Sequence, residues 1–178
     1  MDSNASSNNT IIDSSKECYD IISKEYDHVI ERGNKLDNKV SIILAFTGIV
    51  FGFSLELLDI REMLSMPMDK YVFNGILIYI LFSIITVTLY VVAICFFLNI
   101  LLPRNFSRFD ANSLLENQLQ KNRHDVVYNY VSIKYCVSTK ENNKVITKQY
   151  RKLSVGIILD IIAIALSVIL IFTKHIIL

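Results

Sequence analysis

One acid stands where an acid is expensive. Asp160 lies inside the apolar run LSVGIILDIIAIALSVILIF, residues 153–172. It sits seven residues into that run, roughly 10 Å below the boundary if the run is a membrane helix. An ionised Asp at a helix centre costs about 2.5–3.5 kcal/mol on insertion scales, so such a residue usually faces a cavity, a partner or a pathway. The plainer alternatives are a protonated Asp bonded to a hydroxyl such as Thr86, or a residue near enough to the edge to reach water. Glu56 closes another apolar run, residues 40–60, and can snorkel to the interface. Little else carries chemistry. His124 and Asp125 are adjacent, but no Ser or Cys is placed to complete a triad. His28, His124 and His175 are scattered, Cys18, Cys95 and Cys136 keep neither metal nor disulfide spacing, and no phosphate-binding glycine motif occurs. The expectation is a chain that is no enzyme, with no metal and no cofactor.

The remaining signals are stripes. Ser41, Ala45, Gly48 and Gly52 recur at steps of four, three and four, so they share a helix face, and Gly48 to Gly52 is a GxxxG. Small residues let helix backbones approach closely in lipid. The contact they predict lies within the subunit or between subunits. Gly75, Tyr79, Ser83, Thr86 and Tyr90 form a second stripe, and Gly156, Asp160, Ala163 and Ser167 a third. One buried interface would use all three stripes; so would a water-lined path.

The elements that must position these stripes follow from the apolar runs. Residues 71–102 contain no formal charge, and as a helix they span roughly 48 Å against a hydrocarbon core of about 30 Å. That is too short for two spans with a turn, so the segment is one tilted span ended by Pro103. Few breakers (two Pro, five Gly) and long uninterrupted runs argue against a barrel. The fold class is an all-α integral membrane protein with three transmembrane helices and a cytoplasmic helical region. Residues 1–13 read as a disordered tail. Residues 14–39 read as an amphipathic entry helix, opened by the capping box from Ser14 to Glu17 and striped by Tyr19, Ile22, Tyr26 and Val29, with Gly33 and Asn34 loosening it. The spans are 40–60, 71–102 and 153–173, joined by a short external loop, 61–70, and a long charged segment, 103–152. In that segment Asp110 can cap a helix carrying Leu114, Leu115 and Leu119. A second helix begins near Asp125 and can run through Tyr150 into the last span, with a break expected at 138–144. Residues 174–178 form an external C-terminus.

Lys and Arg set the orientation. Fifteen of the 18 lie on one side: Lys16, Lys24, Arg32, Lys35 and Lys39 before the first span, and ten in the long segment, among them Arg104, Arg108, Lys148, Arg151 and Lys152. Arg61, Lys70 and Lys174 make up the other side. The positive-inside rule then places the N-terminus and the long segment in the cytoplasm and the C-terminus outside. Asn4, Asn8 and Asn105 match the glycosylation sequon but fall on the cytoplasmic side. The basic segment can bind anionic headgroups, though basic loops are also the ordinary topology signal. A net charge of +1 gives no global pull toward nucleic acid.

Asp37-Asn38-Lys39 lead directly into Val40-Ser41-Ile42-Ile43-Leu44, so that an acidic helix enters a span without a turn. With Pro103-Arg104 after the second span and Lys148, Arg151 and Lys152 before the third, the chain resembles the small transmembrane effectors of bacterial anti-phage systems, the Pycsar transmembrane effectors and the related SLATT proteins. SLATT proteins usually have two spans, whereas three are read here, and no separate nucleotide-binding domain is visible. The resemblance implies an oligomeric effector in the bacterial inner membrane. It would disrupt that membrane on a cytoplasmic signal, a cyclic nucleotide or a sensor protein, in antiviral defence. Its partners would be the lipid bilayer and further copies of itself. The rival is a non-catalytic accessory subunit of a larger membrane complex.

Overall fold

The computed structural model describes residues 3–57 and 70–177, with side chains over 14–57 and 74–174. Three long helices dominate: α1, Ser3–Leu57; α2, Lys70–Leu101; and α4, His124–Ile177. A short helix, α3, Asn112–Glu116, and a single 3-10 turn, Leu119–Lys121, lie between α2 and α4. Among the described residues there is no strand, and all three long helices are long and apolar enough to cross a membrane. The chain is thus a multi-pass helical membrane protein. The proposed external loop 61–70 falls almost wholly outside the described residues.

Four local expectations change. Helix α1 begins at Ser3, within the tail read as disordered, because nothing between Ser3 and the capping box breaks a helix. It also runs unbroken through Gly33 and Asn34. Helix α4 continues through 138–144, where the polar residues suggested a break. The helix expected to carry Leu114, Leu115 and Leu119 is divided into α3, which holds the first two, and the 3-10 turn, which holds the third. Gln118 takes a left-handed φ of 50° there, which ends the helical run.

The chain divides into two compact units. The first comprises residues 1–36 and 103–148. Here α1 and α4 run parallel, joined by aromatic rings: Tyr19 lies 5.3 Å from Tyr128, and Tyr26 stacks on Tyr135 at 4.9 Å and 11°. Phe109 meets Tyr135 edge-on at 5.7 Å. The tyrosines recur every seven residues on both helices, which keeps one seam facing the partner at 3.5 residues per turn. Burial pushes the Tyr135 phenol above its usual pKa, so it remains a neutral hydroxyl throughout the physiological range.

The segment after α2 folds back onto this pair. Asn142, wholly buried, holds the backbone of Ser107 with both ends of its amide. It accepts from the Ser107 N–H at 2.8 Å, and its Nδ2 donates to the Ser107 carbonyl at 3.0 Å. Phe106 packs over Gly33, where a Cβ would lie 2.9 Å from the ring. Gly33, read as a weak point of α1, is a seat for that ring.

The second unit comprises residues 37–102 and 149–178, the three spans. Its buried residues repeat at steps of three and four on α2 and α4 and at steps of seven on α1. On α2 they are Ile76, Tyr79, Ser83, Thr86, Tyr90, Ala93, Phe97 and Ile100. On α4 they run from Leu153 through Asp160 and Ala163 to Leu170, and on α1 they are Val40, Thr47 and Ser54. A strict seven-residue repeat imposes left-handed supercoiling, so this unit is a coiled-coil-like bundle.

The Asn142 clamp yields a test. Asn142→Ala removes both bonds to Ser107 and should destabilise the first unit by about 1–3 kcal/mol. Trypsin should then cut at Arg104 and Arg108 in the solubilised variant at a protease dose that spares the parent chain.

Candidate functional site

Lipid offers no hydrogen bonds, so a polar group inside a span must find its partner in the protein. Hydroxyls can use their own helix. Ser83 donates to the Tyr79 carbonyl at 2.9 Å, Thr86 to Phe82 at 2.8 Å and Thr88 to Ile84 at 2.8 Å. A carboxyl and a phenol cannot satisfy themselves in that way, and both reach across to α1. Thr47 Oγ1 donates to Asp160 Oδ2 at 2.9 Å. The Tyr90 hydroxyl lies 3.3 Å from both Ser54 on α1 and Ser167 on α4.

Counting protons gives the second contact a direction. The one Ser167 proton goes to the Ala163 carbonyl at 2.9 Å, so Tyr90 must donate to Ser167. Tyr90 has then spent its proton and accepts from Ser54. The chain runs from Ser54 through Tyr90 and Ser167 to the backbone of α4, linking all three spans. The Phe51 ring tilts against Tyr90 at 5.3 Å. Asp160 is 6% exposed, and its Oδ1 has no hydrogen-bond partner among the described residues. The partner suggested from sequence, Thr86, is turned back on its own helix.

Two of the three stripes therefore meet. Tyr79, Ser83, Thr86 and Tyr90 on α2 and Gly156, Asp160, Ala163 and Ser167 on α4 are buried in one seam, with Gly75 at its rim. The α1 stripe does not join them. Ser41, Ala45, Gly48 and Gly52 are exposed, and a Cβ on either glycine would meet nothing within 4 Å. Of the two contacts they allowed, packing within the subunit is not the one formed. The buried face of α1 is one residue round, about 100°, and carries Thr47 and Ser54. That rotation pairs Asp160 and Tyr90, which a glycine face could not do. The signal was present in the 3.5-residue spacing from Val40 to Thr47 to Ser54.

Gly156 does make a close approach, since a Cβ there would lie 2.6 Å from the ring of the wholly buried Phe97. Of the basic candidates, Arg108, Lys148 and Arg151 are exposed. Lys152 donates to Asn99 Oδ1 at 2.6 Å, tying α4 to the end of α2. Arg104 donates to the Gly33 carbonyl at 3.4 Å and sits 5.8 Å over Phe106, so it staples its own segment in place. Asp37, Asn38 and Lys39 lie on the unbroken α1, Asp37 half-buried and the other two exposed.

These two glycine environments predict opposite outcomes. Gly156→Ala should cost about 1–3 kcal/mol through forced movement of Phe97, whereas Gly48→Ala should leave the fold unchanged. Thermal unfolding of the detergent-solubilised variants measures both.

A family model, the Pycsar effector protein domain, matches residues 21–174, which take in most of the entry helix, the three spans and the segment between them. No curated protein and no solved structure matches the chain. The three spans and the match over residues 21–174 agree, and the chain belongs to the Pycsar effector family, as a transmembrane effector of antiviral defence.

Proposed function

We propose that the protein is an oligomeric membrane effector that disrupts inner-membrane integrity, by a pore or by depolarisation, in response to a cytoplasmic cyclic-nucleotide signal. The observation that supports this reading most directly is the polar seam. Thr47, Asp160, Ser54, Tyr90 and Ser167 line the junction of three helices that are otherwise apolar toward lipid. Hydrogen bonds between membrane helices contribute only about 0.6 kcal/mol on average, so a seam held by a few of them can be opened at modest cost. Once opened, it would present hydroxyls and a carboxyl to water across the bilayer. The partnerless Oδ1 of Asp160 is where such a path would first hydrate.

Orientation follows from the Lys and Arg split, with the N-terminus and residues 103–152 in the cytoplasm, where the signal arises. A reporter fused after Leu178 should read as external and one inserted near Asn142 as cytoplasmic. The opposite pair of readings would remove the cytoplasmic cue from this reading.

The seam is tested at Asp160. Asp160→Leu should insert more readily, by about 2.5–3.5 kcal/mol on insertion scales, yet fail to depolarise cells. Asp160→Asn keeps the shape and an acceptor for Thr47. If the ionisable group is what matters, Asn behaves as Leu; if the hydrogen bond is, Asn behaves as the parent. The measurement is membrane potential in bacteria that produce each variant at matched membrane levels, with and without a co-produced nucleotide cyclase. Depolarisation by Asp160→Leu equal to the parent's would take Asp160 out of any conducting path.

A further inference from the structure

The hydroxyls of Thr47, Ser54, Ser83, Thr86, Tyr90 and Ser167 have all spent their protons. Thr47 gives its proton to Asp160 Oδ2, and Ser83, Thr86 and Ser167 give theirs to carbonyls of their own helices. Tyr90 then donates to Ser167 and Ser54 to Tyr90, both at 3.3 Å. A hydroxyl has one proton to donate and two lone pairs to accept with, so what these groups still offer is lone pairs. Asp160 Oδ1 adds another acceptor, buried and without a hydrogen-bond partner among the described residues.

The formal charge has the same sign. Across residues 40–55, 74–101 and 153–173, Asp160 is the one residue among Asp, Glu, Lys, Arg and His. Once water reaches it, an Asp is a carboxylate at neutral pH. Basic residues stand at one edge of the spans: Lys39 and Arg151 are exposed, and Lys152 is half-buried and bonded to Asn99. They oppose the carboxylate, and distance and solvent decide between them. Lys152 lies eight residues before Asp160, about 12 Å along α4. Salt screens exposed charges beyond about 8 Å at physiological ionic strength, whereas a charge walled in by apolar helices is screened much less. The interior of the seam therefore takes its potential from Asp160.

We infer that the opened seam passes cations, alkali ions or protons, and rejects anions, with Asp160 as the group that sets the sign. A cation leaving water needs oxygens in place of its hydration shell, and the seam supplies lone pairs and a carboxylate. An anion needs N–H or O–H donors, and the bonded hydroxyls have none left to give. Copies inserted in one orientation hold their Asp160 side chains at one depth, so assembly repeats the same sign. Rings of acidic side chains are a general device for selecting cations. This rests on the membrane-disruption reading above and names what the disrupted membrane passes.

The test is patch-clamp recording from giant spheroplasts of bacteria that produce the full chain together with a nucleotide cyclase, starting in symmetric potassium chloride. Exchanging external chloride for gluconate should leave the reversal potential in place. Exchanging external potassium for N-methyl-D-glucamine should move it if alkali ions are carried, and a pH step should move it if protons are. A shift on chloride exchange as large as either cation shift would overturn the inference and leave the conducting path standing. A reversal potential that ignores all three exchanges would overturn it in favour of an unselective lesion. No cyclase-dependent current at matched membrane levels would overturn the membrane-disruption reading, and the inference with it. Asp160→Asn keeps an acceptor for Thr47 but removes the charge, so its current should lose the cation preference or vanish. Asp160→Glu, which returns the charge, should recover that preference. An Asp160→Asn current with the parent's preference would overturn the role of Asp160.

Discussion

Within the bilayer the arrangement of the spans depends on two groups that cannot be satisfied by their own helix. Lipid chains are as apolar as leucine, so burying leucine between spans gains almost nothing, and many rotations of α1 would be nearly equal in energy. Asp160 and Tyr90 remove that degeneracy. Each needs an oxygen from a neighbouring helix, and only one face of α1 supplies two hydroxyls a helical repeat apart, Thr47 and Ser54. With α1 in that phase, α2 and α4 close around the seam, and Phe97 fits against the bare backbone at Gly156. Each hydrogen bond is weak, yet the bonds act against alternatives that differ by little, so they are enough to choose the phase.

The first unit is governed by different physics because water is present. There the hydrophobic effect operates, and tyrosines bury rings along the α1–α4 seam while keeping polar tips. The returning segment is irregular backbone, and its polar groups need partners once they are covered. Asn142 supplies one acceptor and one donor to the single residue Ser107, the bonding a neighbouring strand would provide. A polar residue in a helix interior is normally a liability. Here it holds the returning segment against the helix.

What was legible in the sequence, and what was not, divides along the same line. The three spans, the entry helix that runs straight into the first and the family resemblance could all be read, because charge-free runs and a seven-residue rhythm are one-dimensional signals. The faces of α2 and α4 could be read too, since Tyr90, Asp160 and Ser167 mark them. The face of α1 was misplaced by one residue. Small residues and hydroxyls both mark possible contacts, and only the position of Asp160 on another helix decides between them. Gly33 and Asn142 were taken as weak points for a related reason. A glycine or an asparagine inside a helix reads as a breaker until the ring or backbone it serves, Phe106 or Ser107, is in place.

The exposed small-residue face on α1 takes on a meaning from this correction. A face that packed inside the subunit would be used up, whereas this one is left to lipid or to another protein. Along α1 the positions Asp20, Asp27 and Glu31 and the positions Ser41, Ala45, Gly48 and Gly52 keep one seven-residue phase in the sequence. Before the first span the phase carries these acids with Lys24 among them, and within the span it carries small residues. Charge outside the bilayer and close backbone approach inside it are the two devices by which a helix recognises another in its respective solvent. The exposed small-residue face lies on the helix that also supplies Thr47 to Asp160. Turning α1 by one residue would break the Thr47 and Ser54 bonds together, so the two bonds hold its phase jointly.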